Sequence, residues 1–139
     1  MKTIGFIAMS GVRAHNPELT RLGLTLPGFV DRNKIIASLP SLGLLTLAGL
    51  TPSRFNIEYH EIADLREGDE LPDHFDLVAL STFTAQLKEA YTVADFYMKR
   101  GIPVVMGGIT VSSLPSEARL HCTSVVVGEG EPLWPEVLN

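Results

Sequence analysis

The sequence predicts an α/β domain: an open sheet of five parallel strands with helices on both faces. Three observations carry this. Short apolar runs without alternation, above all Ile102-Pro103-Val104-Val105-Met106-Gly107-Gly108, read as strands buried on both faces, as the inner strands of parallel sheets are. These runs alternate with helical segments, the pattern of βαβ units joined by right-handed crossovers. The runs also stop at glycine or small polar residues. That aligns Ser10-Gly11, Ser81-Thr82, Gly107-Gly108 and Gly128-Glu129 along one carboxyl edge, where open α/β sheets bind ligands. The strand order that fits is 2-1-3-4-5, the flavodoxin-like (Rossmann-like) arrangement, with its switch point between strands 1 and 3.

Thr3 to Met9 is the first strand, closed by a turn at Ser10-Gly11. The stretch 12–38 holds Pro17, Gly23, Pro27 and Gly28 without a clean period, and a connection this long inside a compact domain is usually functional. Its Leu19, Leu22, Leu24, Leu26, Phe29 and Val30 are expected to pack down. Ser41 to Leu50, introduced by Leu39-Pro40, reads as a helix apolar nearly all round and hence wedged between layers. Phe55 to Ile62 alternates as a second strand nearer an edge, and 64–73 is an acidic connection. Asp76 to Ser81 is the third strand. Thr84 to Arg100 is the clearest helix, with Leu87, Ala90, Tyr91, Ala94, Tyr97 and Met98 at helical spacing and a stop at Lys99-Arg100-Gly101. The fourth strand ends in the two glycines. A helix near Ser113 to Leu120 leads to a fifth strand, Thr123 to Val127, and Pro132 is placed to open a last helix carrying Trp134 and Leu138. That helix has only begun when the chain stops, so the 139 residues read as an excised N-terminal domain.

A chain of 139 residues is one domain's worth. Folding such a chain buries roughly 68% of its unfolded surface, enough for a core without disulfide or structural metal. A net charge of −5 argues against a nucleic-acid partner. The single cysteine, Cys122, excludes an intrachain disulfide and fits a reducing cytoplasm. The longest apolar region, Leu39 to Leu50, falls well short of the ~20 residues that span a bilayer, so no membrane partner is expected.

Several pieces taken in order, Leu39-Pro40-Ser41-Leu42-Gly43-Leu44, Asp76-Leu77-Val78 with Ser81, Ala90-Tyr91, Val105-Met106-Gly107-Gly108-Ile109-Thr110, Leu114-Pro115-Ser116-Glu117-Ala118 and Val127-Gly128-Glu129-Gly130-Glu131, resemble the N-terminal cobalamin (vitamin B12)-binding domain of radical SAM enzymes. The resemblance runs from about Pro40 to the end, and the Gly-Glu-Gly-Glu turn is its sharpest part. It implies a domain that cradles cobalamin on the carboxyl edge and serves a radical SAM domain in cis. That domain would hold S-adenosylmethionine and a four-iron four-sulfur cluster. By the same resemblance Ser81 and Gly107-Gly108 line a slot for the nucleotide tail, with Ser10, Gly11, Thr82, Phe83, Gly128, Glu129 and Gly130 completing the cofactor-binding set. Two departures stand out: Ser81-Thr82-Phe83 replaces a Ser-x-Leu, and the Asp-x-His-x-x-Gly that ligates cobalt from below is absent. Its nearest echo is Arg13-Ala14-His15-Asn16-Pro17-Glu18, so the expectation is cobalamin with no histidine beneath the cobalt.

Each residue also has a plainer reading. Gly107-Gly108 could be only a tight turn, Ser81 could cap the helix that follows it, and Glu129 and Glu131 could complement the positive end of the last helix. His60, His74 and His121 are scattered and none has a partner at metal-ligand spacing, so no protein metal site is assigned. Cys122 reads as a small buried hydrophobe. No catalytic residue and no Cys-x3-Cys-x2-Cys is present, so the fragment should be non-catalytic alone, the parent's chemistry being methyl transfer or ring formation elsewhere. The alternatives left open are a flavodoxin-like domain for flavin or another nucleotide-type ligand, and an interaction module without cofactor.

Overall fold

Every residue from Ile4 to Met9 is buried, which makes β1 (Thr3–Met9) the spine of the sheet. In the computed structural model, residues 1–9, 11–12, 21–22, 37–38, 40–62, 65 and 70–139 are described. Four further strands complete the sheet: β2 (Asn56–Ile62), β3 (Leu77–Thr82), β4 (Val104–Gly107) and β5 (Ser124–Val125). Their order is 2-1-3-4-5 and every pairing is parallel, so the fold is the flavodoxin-like α/β arrangement. β2 is one of the two edge strands and exposes Asn56, Ile57 and Glu61. Gly11–Val12 and Ala37–Ser38 form a separate two-residue antiparallel ladder that the sequence reading did not foresee.

The helices are α1 (Leu42–Leu50), α2 (Leu87–Lys99), entered through a 3-10 turn at Thr84–Gln86, and the short α3 (Ile109–Ser113), α4 (Pro115–Ala118) and α5 (Trp134–Val137). α2 ends as its sequence dictates. Gly101 adopts φ +75, and the Gly101 and Ile102 amides donate to the Met98 and Tyr97 carbonyls, satisfying the last turn. The helix expected near Ser113 to Leu120 is the shorter α4, which Pro115 starts after Leu114, and α3 before it was not foreseen. The last helix begins at Trp134 with Pro135, not Pro132, in its first turn.

Strand alternation sorts the core into two layers. Ile7, Met9, Val78, Leu80, Val104 and Met106 face α2 and its Ala90, Tyr91, Ala94 and Tyr97. Ile4, Phe6, Ala8 and Ala79 face the other way, against Leu44 of α1 and Trp134 of α5. α1 is therefore a one-sided helix and not a wedge: only Leu44 is buried, while Leu42 is 75% and Leu50 54% exposed. Of the apolar residues expected to pack down in 12–38, Leu22 is 69% exposed and the others lie outside the described residues. Among the described residues no helix is long and apolar enough to cross a membrane.

Candidate functional site

The two faces of the sheet carry side chains of different size. Toward α2, β3 and β4 present Val78, Leu80, Val104 and Met106; toward α1 they present Ala79, Ser81, Val105 and Gly107. The small set leaves room. A slot of about 290 Å3 opens there at the carboxyl edge, walled by Ala79, Ser81, Val105 and Gly107 on the sheet side and by Gly43, Leu44 and Leu47 of α1 opposite. Val126 and the turn Gly128-Glu129-Gly130-Glu131 close one end, and Trp134 lies beneath. A second cavity of about 420 Å3 adjoins it at Ser81 and is lined by Ala8, Met9, Pro40, Ser41, Leu42, Thr82 and Phe83. It lies between the ends of β1 and β3, at the switch point of the sheet.

Sheet register and turn geometry hold the slot. Ser81 stands in line with Ala8 on one side and Gly107 on the other. It caps neither the 3-10 turn nor α2, since no side-chain bond caps either. The plainer reading of Ser81 fails there. Gly108 has φ +103 and ψ 173, and a Cβ on it would stand 3.0 Å from Ser81 Oγ, so the backbone passes close to that hydroxyl. Gly128 has φ +86, and its N–H donates to Ser112 Oγ at 2.9 Å, which ties the turn to α3. Glu129 and Glu131 line the slot, whereas the acid in the first turn of α5 is Glu136.

α1, the outer wall, is fastened at both ends. The Ser41 amide donates to Tyr59 Oη at 2.8 Å, and Ser41 Oγ accepts from the Leu44 amide at 3.4 Å. At the other end Trp134 Nε1 donates to Thr51 Oγ1 at 2.9 Å, while the indole packs on Phe6 at 5.6 Å between centroids.

Of the residues singled out from the sequence, Ser81, Gly107, Gly108, Gly128, Glu129 and Gly130 meet at the first cavity, and Thr82 and Phe83 line the second. Gly11 pairs with Ser38, and Ser10 and His15 lie outside the described residues. The sequence reading missed Gly43, Leu44, Leu47 and Trp134. The alternation of small with large residues inside runs read as uniformly apolar, Val78-Ala79-Leu80-Ser81 and Val104-Val105-Met106-Gly107, was the available signal for a slot on one face.

Elsewhere the fold gathers residues that the sequence scatters. The Glu58 carboxylate accepts from His74 Nε2 (2.9 Å) and from His60 Nε2 (3.1 Å), and these bonds hold its carboxyl below the usual range. His121 Nδ1 lies 3.0 Å from Asp95 and its ring stacks on Tyr91 at 4.2 Å. Among the described residues no group of three or more His, Cys, Asp or Glu is arranged to hold a metal ion. Cys122 is buried, with Sγ 3.2 Å from the Ala118 carbonyl, and burial pushes its thiol up. It is not a poised nucleophile.

Fold and site together define an open α/β domain with a largely apolar slot at its carboxyl edge. Over 99 residues the chain is 38% identical to the bacteriochlorophyllide d C-12(1)-methyltransferase of Chlorobaculum tepidum, a match covering 69% of this chain and 21% of that protein. Over 104 residues it is 36% identical to the bacteriochlorophyllide d C-8(2)-methyltransferase of the same organism, covering 71% of this chain and 21% of that protein. The chain thus spans about a fifth of the length of these relatives. No family model matches it and no solved structure matches it.

Proposed function

We propose that this chain is a cobalamin-binding domain serving a methyltransferase whose S-adenosylmethionine and four-iron four-sulfur cluster belong to a radical SAM domain in cis. The observation that carries the reading is convergence: Ser81, Gly107-Gly108 and the Gly128-Glu129-Gly130-Glu131 turn, far apart in sequence, line one slot. The slot fits the group. Its lining is mostly aliphatic and glycine, with Ser81, Glu129 and Glu131 as the polar members and Trp134 beneath, and its roughly 290 Å3 suits a flat heterocycle and little more. Ser81 would meet the tail with its hydroxyl, Gly107 and Gly108 would let backbone come close, and Met9, Leu42, Thr82 and Phe83 at the adjoining cavity would face the macrocycle. Cobalamin, when bound, supplies a cobalt centre that can carry a methyl group. The chain's own contribution is to bind it, orient it and keep water from its tail. The relatives' names point to a chlorophyllide-type tetrapyrrole as the methyl acceptor of the whole protein.

The test is direct. The protein is incubated with hydroxocobalamin or, separately, with flavin mononucleotide, desalted, and its visible spectrum recorded. A corrinoid spectrum in stoichiometric amount is expected, and a chain that retains flavin but no corrinoid would overturn the reading. The proposal includes a cobalt without histidine beneath it. The cob(II)alamin complex should then show no nitrogen superhyperfine splitting, and splitting that vanishes in His15→Ala would refute that part.

A further inference from the structure

We propose that Gly43 is the size filter of the slot: the side chain missing from the first turn of α1 is what admits the flat heterocyclic base, and the position selects between corrinoids with and without one. The inference rests on the cobalamin reading above.

Glycine is a poor helix residue, so its presence in α1 asks for a cause. Backbone conformation is not the cause, because the described glycines with positive φ are Gly101, Gly108 and Gly128. Close packing among the described residues is not the cause either, since a Cβ built on Gly43 meets none of them within 4 Å. What remains is space. Gly43 lines the slot, and Leu47, one turn later on the same face of the helix, lines it too. Leu47 reaches the far wall, where its methyl carbons stand 3.6 Å from a Cβ built on Gly130. Side chains on this stripe of α1 therefore project across the slot. At Gly43 the stripe is cut away.

α1 supplies its own control. Among the described residues Gly49 also has no neighbour within 4 Å of a built Cβ, and its φ is not positive, but it does not line the slot. A generic benefit of removing glycine from α1 should appear at both positions; an effect on the ligand should appear only at Gly43.

The experiment uses the 139-residue chain carrying Gly43→Ala, Gly43→Leu or Gly49→Ala. Each is titrated with hydroxocobalamin and with cobinamide, a corrinoid lacking the nucleotide tail, and its thermal midpoint is measured. Midpoints equal to or above wild type are expected throughout. Gly43→Leu should weaken hydroxocobalamin binding roughly tenfold or more, the effect of forcing extra methylenes into a filled pocket, while cobinamide binding stays as in wild type. Gly43→Ala should show the same contrast more weakly, which keeps the comparison available if the leucine variant does not fold. Gly49→Ala should bind both ligands as wild type does. Undiminished hydroxocobalamin affinity in a folded Gly43→Leu, or equal loss of both corrinoids, would overturn the inference. A wild type that binds neither corrinoid would instead overturn the reading on which it rests, and the inference with it.

Discussion

At the scale of single residues, the glycine pair after β4 divides into two roles that the sequence does not separate. Gly108, at φ +103 and ψ 173, occupies a region open essentially to glycine alone. Gly108→Ala should therefore cost about 1–3 kcal/mol in urea unfolding, through backbone strain before any ligand is considered. A branched residue at Gly108 would therefore confound binding with folding. Gly107 is the cleaner probe. Its φ is not positive, and a Cβ on it would stand 3.6 Å from Val126 Cβ, an ordinary contact inside the slot. Gly107→Ala should unfold at nearly the wild-type urea concentration yet retain less hydroxocobalamin after desalting. Full retention would show that the slot accepts a methyl group there. Glycine identity was legible from sequence; which glycine is obliged by backbone and which by space was not, because dihedral angles are set by the turn and not by the letter.

At the scale of elements, α1 is the part least legible in sequence and most informative in structure. Leu42, Leu44, Leu45, Leu47 and Leu50 surround the helix, so periodicity could not say which side faces the sheet. Tertiary hydrogen bonds decide it, through Tyr59 at Ser41 and Trp134 at Thr51. The second bond has a consequence that can be measured. Trp134 is the chain's single tryptophan and is 2% exposed, so removing its acceptor leaves a buried N–H unpaired. Thr51→Val should destabilise by about 1–3 kcal/mol and should change the tryptophan emission in the folded state. Unchanged emission and stability would mean that the bond does not hold α1 to α5. By contrast α2 was legible nearly residue by residue, since one face is apolar and Gly101 ends it where a left-handed residue is needed.

At the scale of the whole molecule, the sheet order was legible because buried strands need apolar runs and parallel strands need helical crossovers, while the slot depended on which face the small residues take. Hydrogen bonds at the sheet edge and burial under α2 set how stability varies with pH at the two ends of the scale. On the acid side Glu58 of β2 bonds His60 beside it and His74 before β3, and its carboxyl is held below 4.5, first by His74 and then by His60. A depressed carboxylate stabilises above its unfolded pKa and loses that contribution as pH falls through the folded one. Stability should therefore drop below about pH 4.5, and Glu58→Gln should flatten that limb. On the alkaline side the signs reverse. Burial raises Cys122 from 9.0 and Tyr97 from 10.0, and burial with the Glu117 carboxylate pushes Tyr91 up to about 12. Groups held in their neutral form by folding contribute fully below their unfolded pKa and lose that contribution as pH rises. The thermal midpoint should then fall from about pH 9 upward and steepen above 10, where tyrosines in the unfolded chain ionise. Tyr97 packs at the centre of the α2 layer with 0% exposure, so Tyr97→Phe keeps the ring and removes the titrating hydroxyl. Its thermal midpoint, scanned from neutral to strongly alkaline pH, should fall less steeply above pH 10 than that of wild type. An unaltered alkaline limb would show that the phenol is hydrated before the fold opens, and that the layer under α2 is not the sealed half of the molecule.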